Sequence, residues 1–251
     1  MRATYVTSDD VRLNVEVDGP DGAPTVVLVH GLAASVALGW RAPGVLDRLT
    51  AHGLRTVAYD ARGHGRSDKP HEPDRYGDAR LMLDLAEIVQ GFADPDAVVA
   101  GYSMGAATIL VGLSVGLDVR AAVVGAAPTA VLRWTEADEH KRALAIAALE
   151  GRIEPDDEMQ LWLGFLDAIG ADKAALAACL RGLRPVVASW EAISVPVIVA
   201  AGTDDADAAP IGELAAAMAR ATPLALAGDH YSAVADPAFT DAIADLAHSA
   251  R

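Results

Sequence analysis

Short apolar runs of strand length, bounded by Gly, Pro or Asp, recur at 25–29, 56–59, 97–100, 121–124, 195–200 and 224–227. Segments of helix length lie between most of them, such as 79–92, where Leu81, Leu85, Ile88, Val89 and Phe92 fall on one face. This alternation predicts an α/β domain with a mostly parallel sheet covered by helices on both faces. The start differs: residues 5–6 and 11–17 flank Ser8-Asp9-Asp10 and predict an antiparallel hairpin at the sheet edge. After Ala127 the alternation stops. Residues 128–194 carry helical periodicity only, so the chain reads as a core of 1–127 and 195–251 interrupted by a helical insertion at 128–194. The insertion holds Trp134, Trp162 and Trp190 together with Phe165. Aromatics there glue an insertion to its core, and Trp134 and Trp162 are also candidates for lining a substrate pocket.

Within this pattern the stretch VVAGYSMGAAT, residues 98–108, places Ser103 between Gly101 and Gly105 where a strand run gives way to a helical one. Such a sharp turn tolerates only hydrogen at the flanking positions and lifts the serine hydroxyl at the strand end, as a nucleophile needs. A serine hydroxyl is a poor nucleophile near neutral pH and requires a base and an acid. In an open parallel sheet, only residues just after strands reach the carboxyl edge where sites gather. Of seven histidines, His52, His71, His140 and His248 fall away from strand ends, whereas His30, His64 and His230 follow strands. His230, in LALAGDHYSAV after the last strand, is the candidate base. The carboxylate comes from VPVIVAAGTDDADAAP, which offers Asp204, Asp205 and Asp207, in the chain order Ser, Asp, His expected of this arrangement. For the oxyanion, the N–H of Met104 at the helix start and the N–H of Leu32 after the strand at 25–29 are the candidate donors, with Gly31 letting the backbone approach the substrate.

Composition narrows the partners. With 20 Lys+Arg against 35 Asp+Glu, the net charge of −15 opposes nucleic acid and anionic membrane surfaces and favours a small neutral or apolar ligand. Residues 1–10 have no apolar core and no stretch gives about 18 uninterrupted apolar residues, so a soluble cytoplasmic protein is expected. Cys179 is the only cysteine, which excludes an internal disulfide. No H-E-x-x-H, C-x-x-C, G-x-G-x-x-G or G-x-x-x-x-G-K-[ST] occurs, so neither metal nor nucleotide cofactor is expected. Oligomeric state is not legible.

VLVHGLA, YDARGHGRSDKP at 59–70, GYSMG, PVIVAAGTDD and the terminal GDH together resemble the α/β-hydrolase superfamily, in its HG-containing branch with a helical cap, and span nearly the whole chain in that family's order. The resemblance implies an eight-stranded, mostly parallel sheet, a cap between the sixth and seventh strands, and no cofactor. It also implies a structural rather than catalytic His64. The family's acid commonly sits at G-x-x-D, which in Gly202-Thr203-Asp204-Asp205 selects Asp205. The insertion has no substrate-defining pattern, and Ala106 stands where many relatives have another glycine. The expected activity is serine hydrolysis of a small carboxylic ester or lactone through an acyl-Ser103 intermediate. The same site serves lyases, perhydrolases and carbon–carbon bond hydrolases, and ligand receptors of this fold can keep a triad.

Overall fold

The computed structural model describes residues 1–94, 96–183 and 189–249. Eight strands form one sheet: β1 (Arg2–Val6), β2 (Arg12–Asp18), β3 (Thr25–Val29), β4 (Arg55–Tyr59), β5 (Val98–Tyr102), β6 (Ala121–Gly125), β7 (Val197–Gly202) and β8 (Ala221–Leu226). Their order is β1-β2-β4-β3-β5-β6-β7-β8. β1 and β2 form the antiparallel hairpin, β2 runs antiparallel to β4, and all later pairings are parallel. Val27 sits level with both Val57 and Val99, so β3 lies between β4 and β5 at the centre.

Side chains that alternate along the strands feed two cores. Val27, Val29, Val57, Tyr59 and Val99 face one side, where α2 (Asp78–Phe92) and α3 (Met104–Ser114) supply Leu85, Ile88, Ile109 and Leu110. Val26, Leu28, Ala58, Val98 and Ala100 face the other, against α1 (Val45–Ala51) and α8 (Pro237–His248), through Leu46, Leu49, Phe239 and Ile243. Every residue of β3, β5 and β6 is buried, as parallel strands covered on both faces should be.

Between β6 and β7 lie α4 (Glu136–Leu149), α5 (Asp157–Ala168) and α6 (Lys173–Gly182). Thr135, Asp156 and Asp172 cap their N-termini by accepting backbone N–H groups. Residues 184–188 of the inserted segment lie outside the described residues. Ile146, Leu149, Leu166, Leu176 and Leu180 make a third cluster with Ala33, against which Leu32 and Trp162 pack. Trp190 instead packs on the core that the strands share with α2 and α3. α7 (Ile211–Ala216) lies between β7 and β8. Cys179, wholly buried in α6, has its thiol pushed up to about 12 by burial, which keeps it unreactive.

The loop after β4 is fixed by one buried cation. Arg62 uses all five guanidinium N–H groups: toward Asp84 at 2.7 and 2.7 Å, toward Asp9 at 2.9 and 2.9 Å, and toward the Arg75 carbonyl at 2.7 Å. It thereby joins the β1–β2 turn, the loop and α2. Hydrogen bonds from Arg62 hold Asp9 well below the usual carboxylate range, although partial burial opposes them, whereas burial pushes Asp84 up against the pull of Arg62. A depressed carboxylate contributes stability above its unfolded-state pKa of about 3.9, and that contribution is lost as pH falls through the folded value. Asp9→Asn is therefore expected to be about 2 kcal/mol less stable than wild type near pH 7, the scale of hydrogen bonds to charged groups. Urea unfolding from pH 7 down to pH 2 should find this difference shrinking below about pH 4; a difference constant with pH would count against the assignment.

Candidate active site

Ser103 connects β5 to α3 in a conformation few residues adopt, with φ 54° and ψ −116°. The flanking glycines explain why the turn forms. A Cβ on Gly101 would lie 2.6 Å from the Gly105 carbonyl carbon, and one on Gly105 would lie 2.0 Å from the Val29 carbonyl oxygen. The Ser103 N–H donates to the Gly125 carbonyl at 2.8 Å, which locks the turn to β6.

Two loops bring the other groups. After β7, Asp205 places its fully buried carboxylate 2.8 Å from Nδ1 of His230 through Oδ2, while Oδ1 accepts the N–H groups of Asp207 at 3.1 Å and Ala208 at 3.0 Å. After β8, His230 turns Nε2 to within 3.1 Å of the Ser103 hydroxyl. Since Nδ1–H donates to a carboxylate, Nε2 carries the lone pair that faces the hydroxyl. A Cβ on Gly202 would meet the Gly228 carbonyl oxygen, so the loops after β7 and β8 cross only because position 202 is glycine. Asp204 is exposed, and Asp207 is exposed and paired with Lys141 at 3.4 Å. Of the three acids open to the sequence, only Asp205 meets the imidazole.

Gly31 sits over the serine: a Cβ there would lie 3.2 Å from the Ser103 Cβ. Next to it is Leu32, and among the described residues no backbone hydrogen bond takes up the N–H of Leu32 or of Met104. His30, fully buried, holds this loop by donating Nδ1–H to the Gly31 carbonyl at 2.8 Å and accepting the Ala61 N–H at Nε2 at 3.0 Å. His64 lies edge-on to His30 with ring centroids 5.3 Å apart and donates Nδ1–H to the Arg62 carbonyl at 2.9 Å. Burial, helped by His30 and Lys69, pushes its pKa down to about 3. It is a neutral structural histidine away from the Ser103–His230–Asp205 chain. Trp162 packs against the cluster containing Ala33, whereas Trp134 lies under the Arg142 guanidinium, 5.5 Å from its ring centroid, outside that cluster. A cleft lined by Ala33, Ser35, His64, Lys69 and Asp172 lies behind the loop and includes none of Ser103, Asp205 and His230.

Tyr102, beside the serine, carries a contact that residue-by-residue reading of the sequence misses. Its ring meets His230 edge-on at 5.9 Å and Phe239 at 5.9 Å, and Phe239 stacks on Trp40 at 6.4 Å. The imidazole is thus backed by an aromatic wall rooted in the core. The Tyr102 hydroxyl is buried without a hydrogen-bond partner, so only the ring does this work.

The profile of the Alpha/beta hydrolase family matches residues 26–243, and the chain belongs to that family. It is 30% identical to the non-heme chloroperoxidase of Streptomyces lividans over 82% of this chain and 85% of that protein. It is 31% identical to the AB hydrolase superfamily protein YfhM of Bacillus subtilis over 43% of this chain and 36% of that protein, so the chain spans about a third of that relative's length. The enol-lactonase of Burkholderia xenovorans superposes with a TM-score of 0.73 at 25% identity, covering 98% of this chain and 100% of the enzyme. Among the described residues no group of three His, Cys, Asp or Glu side chains is placed to hold a metal ion, and no helix is long and apolar enough to cross a membrane.

The aromatic wall can be tested through His230. Tyr102→Phe removes a hydroxyl with no partner and is expected to leave hydrolase turnover within about threefold of wild type and folding stability equal or higher. Tyr102→Leu opens space behind the imidazole and should lower kcat by about tenfold or more with little change in KM. Equal kcat in the two variants would refute the role of the ring.

Proposed function

We propose that this α/β-hydrolase family member cleaves a small, largely uncharged carboxylic ester or lactone through an acyl-Ser103 intermediate. The observation that carries the reading is the single imidazole bridging the Ser103 hydroxyl at 3.1 Å and the buried Asp205 carboxylate at 2.8 Å. In the first half-reaction Nε2 of His230 takes the serine proton as Oγ attacks the ester carbonyl, and the negative oxygen is held by the N–H groups of Leu32 and Met104. His230 then protonates the leaving alcohol; in the second half-reaction it takes a proton from water as the water oxygen attacks the acyl carbon, and it gives that proton back to Ser103 Oγ as the acyl–Oγ bond breaks and the acid leaves. Asp205 keeps Nδ1 protonated and stabilises the imidazolium. Gly31 leaves room for the acyl carbonyl, and the helices of 128–194 act as a cap in which Trp162, with Trp134 further out, borders the substrate. Likeness to an enol-lactonase supports the acyl-transfer chemistry.

A second reading has its own support in the likeness to a non-heme chloroperoxidase. In it, hydrogen peroxide replaces water at acyl-Ser103 and the acyl group leaves as a peracid, with the same residues in the same roles. Product analysis of one ester with and without peroxide separates the two readings.

Ser103→Ala is expected to abolish turnover of short p-nitrophenyl esters while the protein stays folded, and a serine-directed phosphonate should label the wild type once, at Ser103. Wild-type activity in Ser103→Ala would remove the mechanism. Asp205→Asn should lose about 10⁴-fold in kcat, the scale found on removing the acid of another serine triad. Asp204→Asn and Asp207→Asn should each stay within about tenfold of the parent, or roughly 1.4 kcal/mol of barrier. A crippled Asp204→Asn beside an active Asp205→Asn would reverse the assignment.

A further inference from the structure

Resting on the acyl-serine reading, we infer that the insertion acts on the reaction itself: Leu176 of α6 and Ala33 are positioning residues that hold the Leu32 N–H at the oxyanion. The Gly31 carbonyl accepts Nδ1–H of His30 at 2.8 Å and the Ala34 N–H at 3.2 Å, which closes a tight turn with Leu32 and Ala33 at its tip. The Leu32 N–H belongs to the first peptide of that turn, so the tilt of the turn sets where it points. Ala33 takes the second tip position at φ 58°, where glycine is the easy residue. Its methyl group is nevertheless present, and it is buried in one cluster with Leu166, Leu176 and Leu180 of the insertion. Leu32 packs on that cluster and also on the core beneath α2 and α3. The strain at Ala33 is thus offset by apolar contact that only the insertion supplies.

The helix that bears on this turn is itself pinned at both ends. At the start of α6, Asp172 accepts the Ala175 N–H at 3.0 Å through Oδ1 and meets Nε2 of His71 at 3.0 Å through Oδ2. At its end, a Cβ on Gly182 would lie 2.5 Å from the Pro73 carbonyl oxygen and 2.7 Å from the Tyr76 Cβ, so the helix is seated closely on that segment. Arg62 holds the same segment to the sheet domain through the Arg75 carbonyl at 2.7 Å. Between these anchors Leu176, 1% exposed, reaches the cluster and lines one cleft together with Ala33 and Ala34. A fixed helix therefore presses an apolar side chain on the outer face of the turn, while His30 holds the inner face. Misplacement of a reacting or stabilising group by about 1 Å costs on the order of 100-fold in rate, so this two-sided hold matters to turnover.

The test compares Leu176→Ala, Leu176→Met and Ala33→Gly with the wild type, with Ile88→Ala as a control for lost packing. Ile88 is wholly buried one turn before Phe92, whose carbonyl accepts from Arg55 at the start of β4, so it lies at the edge of the sheet opposite Ser103. With a short p-nitrophenyl ester, Leu176→Ala and Ala33→Gly should each lower kcat by about tenfold with KM within about twofold, less than the roughly 100- to 1,000-fold lost when an oxyanion donor is removed outright. The second readout is a trifluoromethyl ketone of the same acyl chain. Ser103 Oγ bonds to its carbonyl carbon, the serine proton passes to His230, and the carbonyl electron pair becomes an oxyanion that calls on the Leu32 N–H. Its inhibition constant should weaken about tenfold in those two variants, whereas Leu176→Met, close in volume, and Ile88→Ala should stay within about threefold of wild type in both readouts. Circular dichroism at the assay temperature verifies folding. If Leu176→Ala does not fold, Ala33→Gly, at a φ that glycine adopts freely, decides alone. Equal kcat in Leu176→Ala and Ile88→Ala, a raised KM at unchanged kcat, or ketone affinity that neither Leu176→Ala nor Ala33→Gly moves overturns the inference while leaving the acyl-serine reading intact. A wild type that turns over no ester and forms no ketone adduct removes that reading, and the inference with it.

Discussion

The approach of α3 to β3 is the constraint from which the site follows. Without side chains at 101 and 105 the chain can reverse from β5 into α3 within a single residue, and that residue, Ser103, is left at φ 54° with its hydroxyl clear of the sheet. Backbone in sparsely populated regions costs of order 1–3 kcal/mol and persists only where its surroundings over-determine it. Here β3 and β6 flank β5 in parallel register, and the Ser103 N–H is bound to Gly125, so the strain is held between fixed strands. The same proximity brings Gly31, at the end of β3, over the serine. One steric condition thus sets both the proposed nucleophile and the loop proposed to receive the oxyanion.

Loops cannot hold such positions on apolar packing alone, and the molecule fixes them with buried polar groups whose partners are nearly all internal. Asp60 accepts the Val36 N–H at 2.7 Å, the Arg66 N–H at 2.8 Å and the Asn14 amide at 3.0 Å, which joins the loop after β3 to the loop after β4 and to the hairpin. His30 adds its bond to Ala61, and Arg62 extends the network to α2. On the outer side Ala33, at φ 58°, is buried against leucines of the inserted helices. The loop over Ser103 is therefore clamped by polar bonds from the core and by apolar contact from the insertion, so a shift of those helices would be felt at Leu32.

The sequence carries the parts of this design that are periodic or that hinge on a residue type. Strand 25–29 and the onset of the sixth strand are legible because buried parallel strands are unbroken apolar runs, and the elbow is legible because only glycine fits its flanks. Ends are less so: β5 runs on through Gly101 and Tyr102, residues that look like the turn itself, and β8 begins at Ala221 and contains Pro223. An edge strand bonded on one side only accommodates that proline. Pairings between distant segments leave no local trace. Nothing near Tyr102 in sequence announces His230, Phe239 and Trp40, and nothing near Asp9 announces Arg62. The choice of Asp205 among three neighbouring acids needed the family's spacing, because alternation along a strand excludes none of the three once the turn begins.

Those neighbouring acids raise a physical question that the geometry answers. Asp204, Asp205, Asp207 and Asp229 lie within a few residues of the proposed base or acid, and four competing anions could hold the imidazole in several orientations. They are kept apart by what each side chain is bound to. Asp205 is the one fully withdrawn from solvent, with Oδ1 satisfied by two backbone N–H groups and Oδ2 left for Nδ1 of His230. Asp229 spends one oxygen on Ser232 and the Tyr231 N–H, and Asp207 leans toward Lys141 in open solvent. An interaction in low dielectric outweighs the same interaction in water several-fold, so the buried Asp205 carboxylate orients the His230 ring while the exposed carboxylates are screened by solvent. Several acids can thus lie close in sequence to His230 and still leave its Nδ1 a single carboxylate partner.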